Sequence, residues 1–236
     1  MNLETTKGKV AAVVVTGAAV LLLAGCTKNE ESGSTDTSSN ASPAVAASTD
    51  TKAADLRNVL NTLEHDHVAL AFNATTDAVD GAPSGPASLA ALQANSGEIT
   101  KAVASVYGDP AGQEFKQIFD SHLGFFANFA TAQRTNDAAA EAKARADMDG
   151  YEQAIGNFFG KANPNLKAET VTQLFNEHAD IIFQGIQAHD AKDFKKEYVQ
   201  EDLAAKQITK IADATAAAIV KQKPEMFTGS AQTSAQ

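Results

Sequence analysis

Three histidines set a period in this chain. His67, His122 and His178 stand 55 and 56 residues apart, and their surroundings repeat with them. Four positions before each comes Leu63, Ile118 or Leu174, and three after comes Leu70, Phe125 or Ile181. Offsets of four and three keep these apolar residues and the histidine on one face of a helix. Self-similarity at a fixed spacing is the signature of a repeated supersecondary unit.

The punctuation between histidines completes that unit. A first stripe, Leu56, Val59, Leu60, Leu63, Leu70 and Ala74, runs to the breaker Asp80-Gly81-Ala82-Pro83-Ser84-Gly85-Pro86. A second, Leu89, Leu92, Ile99, Val103, Val106 and Tyr107, closes at Gly108-Asp109-Pro110, with glycine past one helix and proline in the first turn of the next. Phe115, Ile118, Phe119, Phe125, Phe126 and Phe129 mark a third helix, and Met148, Tyr151, Ile155, Phe158 and Phe159 a fourth that ends near Gly160 and Pro164. Val171, Leu174, Phe175, Ile181 and Ile182 mark a fifth. The sixth carries Phe194, Tyr198, Ile208, Ile211 and Ile219 before Pro224, with Val199 and Leu203 off its stripe. The expected fold class is all-α: a helical bundle of about six helices built from three hairpin repeats of about 55 residues. These span about 53–108, 109–163 and 164–227, with 228–236 as a tail. Hairpins set around an axis would bring the three imidazoles to one centre. Hairpins stacked in a row would leave them about 10 Å apart, the distance between packed helices. The apolar pattern suits both.

Residues 1–25 read as an export leader. Lys7 and Lys9 precede an apolar run from Val10 to Leu23, which ends in Leu23-Ala24-Gly25-Cys26. The run is shorter than the roughly 20 residues that a spanning helix requires. The Leu-Ala-Gly-Cys string resembles the lipobox of bacterial lipoproteins. That resemblance implies cleavage before Cys26, a diacylglycerol on its thiol and a location outside the cytoplasm on a lipid-anchored cell membrane protein. Residues 26–52, rich in Ser, Thr, Asn, Asp and Ala, have too little apolar surface to offset the entropy of ordering and read as a tether.

Charge and cysteine usage narrow the partners. The chain has 236 residues and a net charge of −10, and loss of the leader, with Glu4, Lys7 and Lys9, leaves 17 basic against 28 acidic residues. No Lys/Arg cluster is available to neutralise phosphates, so nucleic acid is excluded as a partner. One cysteine excludes a disulfide framework and a cysteine metal cage. GxSxG, HExxH, P-loop and GxGxxG motifs are absent.

The strings LNTLEHDHVALA, SVYGDPAG, SHLGFFANF, ANPNL, NEHAD and AIVKQKPEMF, across about 55–227, resemble an uncharacterised family of exported helical proteins from Gram-positive bacteria. Some members are labelled after copper amine oxidase-type domains. The resemblance implies no established activity. Relatives place a His-Met pair in the last helix, where this chain has Gln207-Ile208, a departure that removes a soft ligand for copper.

Three functional expectations follow. The first is a non-enzymatic, lipid-anchored binding or scaffolding module with no cofactor, whose partner is a protein or small ligand. The second is a Cu- or Zn-binding or metal-sensing lipoprotein in which His67, His122 and His178 supply three neutral imidazoles and leave a fourth position open. The third is a carrier of an apolar ligand walled by Phe125, Phe126 and Phe129, which cover more arc than one core stripe requires. Glu64-x-x-His67 has the spacing used in di-iron bundles, but Phe119 and Phe175 stand where the other repeats would need a second Glu. His65 points away from His67, and His189 reads as a solvated residue at a helix end. Asp147 and Asp149 fall on the polar side of the fourth helix.

Overall fold

Capping residues divide the chain where glycine and proline interrupt its periodicity. A computed structural model describes residues 49–229. Six helices follow one another: α1 (Lys52–Asp80), α2 (Gly85–Tyr107), α3 (Asp109–Thr135), α4 (Ala138–Ala162), α5 (Ala168–Asp190) and α6 (Phe194–Gln222), with a 3-10 turn at Pro224–Phe227. Thr51 caps α1 by accepting from the Ala54 N–H, and Asp137 and Asp193 do the same for α4 and α6. Gly81, at φ 63°, turns the chain out of α1 while its N–H and that of Ala82 satisfy the last carbonyls. The Cys26 lipidation site and the leader lie outside the described residues, as does most of the tether. No helix of the described residues is long and apolar enough to cross a membrane.

The hairpins close on themselves around an axis. Each helix packs against the next, and α6 packs back against α1. The odd-numbered helices also meet one another, α1 on α3 and α5, and α3 on α5. They form an inner triangle, with α2, α4 and α6 each wedged between two of them. The main core lies inside that triangle and along its flanks. Phe129 and Ile155 are fully buried there, with Phe72, Phe119, Phe159, Ile182 and Phe183 around them. Phe115 and Phe119 stack at 4.8 Å. Each such side chain contributes about 1.5–3 kcal/mol through the water it escapes.

Two expected stripes include residues that are exposed. Val59 is 49 % exposed, whereas Leu60, His67, Val68, Phe72 and Val79 form the buried face of α1. Phe194 and Tyr198 are exposed too, with Val199 and Leu203, and the buried face of α6 opens with Glu197, Gln200, Ala204 and Gln207. The cause is phase. At about 100° per residue, Tyr198 lies roughly 80° from the direction of Ile208, and Glu197 only about 20°. The correct face is polar in its first two turns, so hydrophobicity could not reveal it.

Helix spacing is set where glycine lets backbones close up. A Cβ on Gly156 of α4 would overlap the Thr172 hydroxyl and stand 2.8 Å from the Ala168 carbonyl at the start of α5. At Gly124 of α3 a Cβ would meet nothing within 4 Å. Gly156→Ala is therefore expected to destabilise the fold by about 1–3 kcal/mol, the usual cost of overpacking. Gly124→Ala should stabilise it by up to about 1 kcal/mol through helix propensity. Urea unfolding midpoints should move in opposite directions, and a rise for Gly156→Ala would contradict the close approach.

Candidate functional site

The inner triangle brings the repeat histidines together. His67 of α1 and His122 of α3 face each other with their Nε2 atoms 3.3 Å apart. Their other ring nitrogens are held from behind. The Asn95 side chain of α2 donates through Nδ2 to the Leu63 carbonyl at 3.0 Å, which turns its Oδ1 toward the His67 ring. His67 Nδ1–H donates to that oxygen at 2.8 Å. His122 Nδ1–H donates to the Phe119 carbonyl one turn back. A neutral imidazole carries one proton. With both protons on Nδ1, the two Nε2 atoms that meet are both lone pairs.

Neither ring is easily protonated to relieve this. Burial holds His67 down to about 4, against the partial support of Asn95 and the charge of Asp120. Burial, and then the neighbouring His67, hold His122 well below the usual histidine range. His178 of α5 shares the wall with them. Its Nδ1 is buried without a hydrogen-bond partner, and burial followed by proximity to His67 lowers it to about 4.

The three imidazoles form a partition between two cavities. On one side is a space of about 20 Å³ whose wall also includes Glu64, Phe119, Met148, Tyr151 and Phe175. One water or ion fits, since roughly 10–15 Å³ suffices. Tyr151 stacks on His122 at 4.8 Å and 21° between planes, so the imidazole is clamped by an aromatic face. Burial pushes Glu64 up to about 7 and raises Tyr151 well above the ordinary phenol range, the latter with help from the charge of Glu64. On the other side is an apolar cavity of about 330 Å³ between α1, α2, α3 and α5.

The arrangement departs from a finished metal cage. Among the described residues, no group of three or more His, Cys, Asp or Glu side chains is placed so that it could hold a metal ion. His67 and His122 are paired, and His178 stands beside them. Of the phenylalanines expected to wall a pocket, Phe126 alone does so. Phe129 is enclosed against Phe183 and under Arg145, and Phe125 packs on the core. Phe125 and Phe129 point elsewhere because neighbours one and three positions from Phe126 lie about 100° and 60° around the helix. Half of the residues in the cavity wall are alanine, leucine or valine instead.

Sequence reasoning also missed residues that complete the site. Asn95 carries no periodic signal, and Met148 and Tyr151 read as ordinary core positions. Glu64 was visible as the residue three before His67, on the same face. His189 is corrected as well: it is 8 % exposed, with Nδ1 3.0 Å from Glu197 and Nε2 3.1 Å from Asp80. It ties the ends of α1 and α5 to the start of α6. His65 is exposed and bonded to Thr209, and Asp149 is exposed.

Burying three neutral histidines links stability to acid. Each has a lower proton affinity in the native than in the unfolded chain, so its contribution is complete above the unfolded value near 6.5 and is lost as pH falls below it, toward about 4 for His67 and His178. Glu64, raised to about 7, acts in the opposite sense, and one group offsets part of three. In chelator, the urea midpoint is expected to fall steadily between pH 6.5 and 4.5. A flat profile would show that the rings are not held neutral. Comparison of the chain with protein-family models, curated proteins and solved structures finds no match.

Proposed function

We propose that this chain is a transition-metal-binding module, carried on the outer face of a bacterial membrane by a lipid on Cys26, with His67, His122 and His178 as its ligands. The observation that carries the reading is the 3.3 Å approach of His67 Nε2 to His122 Nε2 while both Nδ1 atoms face oxygen acceptors, an arrangement that leaves the two Nε2 atoms unprotonated. Two lone pairs at that distance repel unless a cation lies near both. Tetrahedral coordination at about 2.0–2.1 Å per bond separates two ligand nitrogens by roughly 3.3–3.4 Å, which is the spacing found. The hydrogen bonds behind the rings fit the same reading, because a ligating histidine characteristically donates its second N–H to a carbonyl or carboxylate.

His178, in the same wall with a buried Nδ1 that has no hydrogen-bond partner, supplies the third nitrogen by moving toward the pair, leaving a fourth position for a water or an added ligand. Imidazole donors suit Zn²⁺ and Cu²⁺, and Met148 in the small cavity offers a soft atom in place of the missing pair in the last helix. Glu64 supplies a carboxyl whose charge balances the ion. The leader, the Leu-Ala-Gly-Cys string and the polar tether support attachment through lipid and an exported location. The site contains no activated nucleophile, which supports binding or sensing over catalysis.

Calorimetric titration of the chain with Zn²⁺ at pH 7.5 should give one saturable site. His122→Ala should weaken it at least a hundredfold, and His65→Ala, which alters an exposed ring, should leave it unchanged. Circular dichroism of both variants checks that the helices persist. Absence of saturable binding, or equal binding by His122→Ala, would overturn the reading.

A further inference from the structure

The larger cavity is a channel that runs along the bundle. Its wall follows α1 from His67 to Ala78, about 16 Å along the helix axis at ~1.5 Å per residue. α2 runs the opposite way: Leu92 packs with Ala71 and Leu123 toward the histidine end, and Gly85 stands beside Asp77 at the other. There Pro86 is exposed while Ala74, Ala78 and Leu89 are partly buried, so the mouth lies between α1 and the start of α2. The histidines close the inner end. Ala71, Ala74 and Ala78 succeed one another on one face of α1, and their short side chains leave the space that larger residues would fill.

Spread over about 16 Å, a volume of about 330 Å³ leaves a mean section of roughly 20 Å², the width of one extended hydrocarbon chain. Volume gives the same size, since this space is roughly twice the ~150 Å³ apolar cavity that accommodates benzene. The wall is equally selective. No Lys, Arg, Asp or Glu contributes to it, and the Thr75 hydroxyl is turned back to the Ala71 carbonyl at 2.8 Å. His67 and His122 direct their ring nitrogens at Asn95, at the Phe119 carbonyl and at each other. His178, with its buried and unpartnered Nδ1, is the exception, and one such atom cannot replace the hydration shell of a charged guest.

We propose that this channel binds the unbranched hydrocarbon chain of a single-chain amphiphile, about ten to twelve carbons long and with an uncharged head, the tail running inward to the histidines and the head left at the mouth beside Pro86. The inference goes beyond the metal-binding reading and does not depend on it, because the tail needs only the apolar wall. An anionic head would stand near Asp77, with no Lys or Arg in the wall to receive it. Each methylene taken from water tightens binding by about fourfold until the channel is filled.

The test titrates the full chain at pH 7.5 in EDTA, with its alanine methyl groups labelled with ¹³C, and follows the signals of Ala71, Ala74 and Ala78 by NMR. 1-Hexanol, 1-octanol and 1-decanol should shift these signals saturably, each step of two carbons tightening binding at least fivefold. Cyclododecanol, as apolar as 1-decanol but too wide for a single-chain channel, should bind at least tenfold more weakly than 1-decanol, and decanoate at least threefold more weakly. Ala74→Phe, which narrows the channel from α1, should weaken 1-decanol at least tenfold, read at Ala71 and Ala78. Absence of saturable shifts with 1-decanol, or equal affinity for 1-decanol and cyclododecanol in the unmodified chain, would overturn the proposal whether or not the variant folds. So would undiminished binding by a folded Ala74→Phe chain, and decanoate binding as tightly as 1-decanol would overturn the uncharged head. Because EDTA removes metal ions, these results stand apart from the Zn²⁺ titration, and either reading can fail without the other.

Discussion

The inner triangle of α1, α3 and α5 imposes the constraint from which the rest follows. Once three copies of a hairpin close around an axis, each first helix must face the other two, and residues at equivalent positions are drawn to one depth in the core. For apolar positions this gives the phenylalanine-rich packing that stabilises the bundle. For the histidine position it creates a difficulty. Imidazoles that would each be tolerable alone now confront one another where water is scarce, and two of them do so with their Nε2 atoms 3.3 Å apart.

The surrounding groups sharpen that confrontation. Asn95 and the Phe119 carbonyl each take a ring proton on the far side, and Tyr151 and Phe119 press against the rings. A chain that needed these histidines only to fill space could have let one donate to the other. The orienting contacts do the reverse, and they resemble the outer support that keeps a metal ligand in its tautomer. Two cavities meet at the histidines, one the size of a single ion or water and one large enough for an organic guest.

Much of the fold was legible because it rests on local chemistry. Gly81, Gly108 and the prolines after them end helices by backbone geometry alone, and the 55-residue period survives any uncertainty about helix ends. Phase was harder to read. Val59 and Tyr198 are apolar yet exposed, because the buried faces of α1 and α6 pass through His67, Glu197 and Gln207. The choice between an axis and a row depends on how α6 returns to α1, a contact that no local pattern encodes. At the site, the histidines announced themselves through repetition. Asn95 did not, since its role depends on a neighbouring helix. The apolar pocket was sought in the phenylalanines, which are conspicuous, but of these only Phe126 lines it, and Ala71, Ala74 and Ala78 contribute the volume they leave empty.

The site depends on where two protons sit, and nitrogen NMR of the histidine side chains in the metal-free chain locates them. His67 and His122 are both expected to hold their proton on Nδ1 at neutral pH, with both Nε2 atoms unprotonated, and both Nε2 signals should move together when Zn²⁺ is added. A proton on either Nε2, donated to the opposite ring and undisturbed by Zn²⁺, would make the pair an ordinary hydrogen bond in the core and contradict the account.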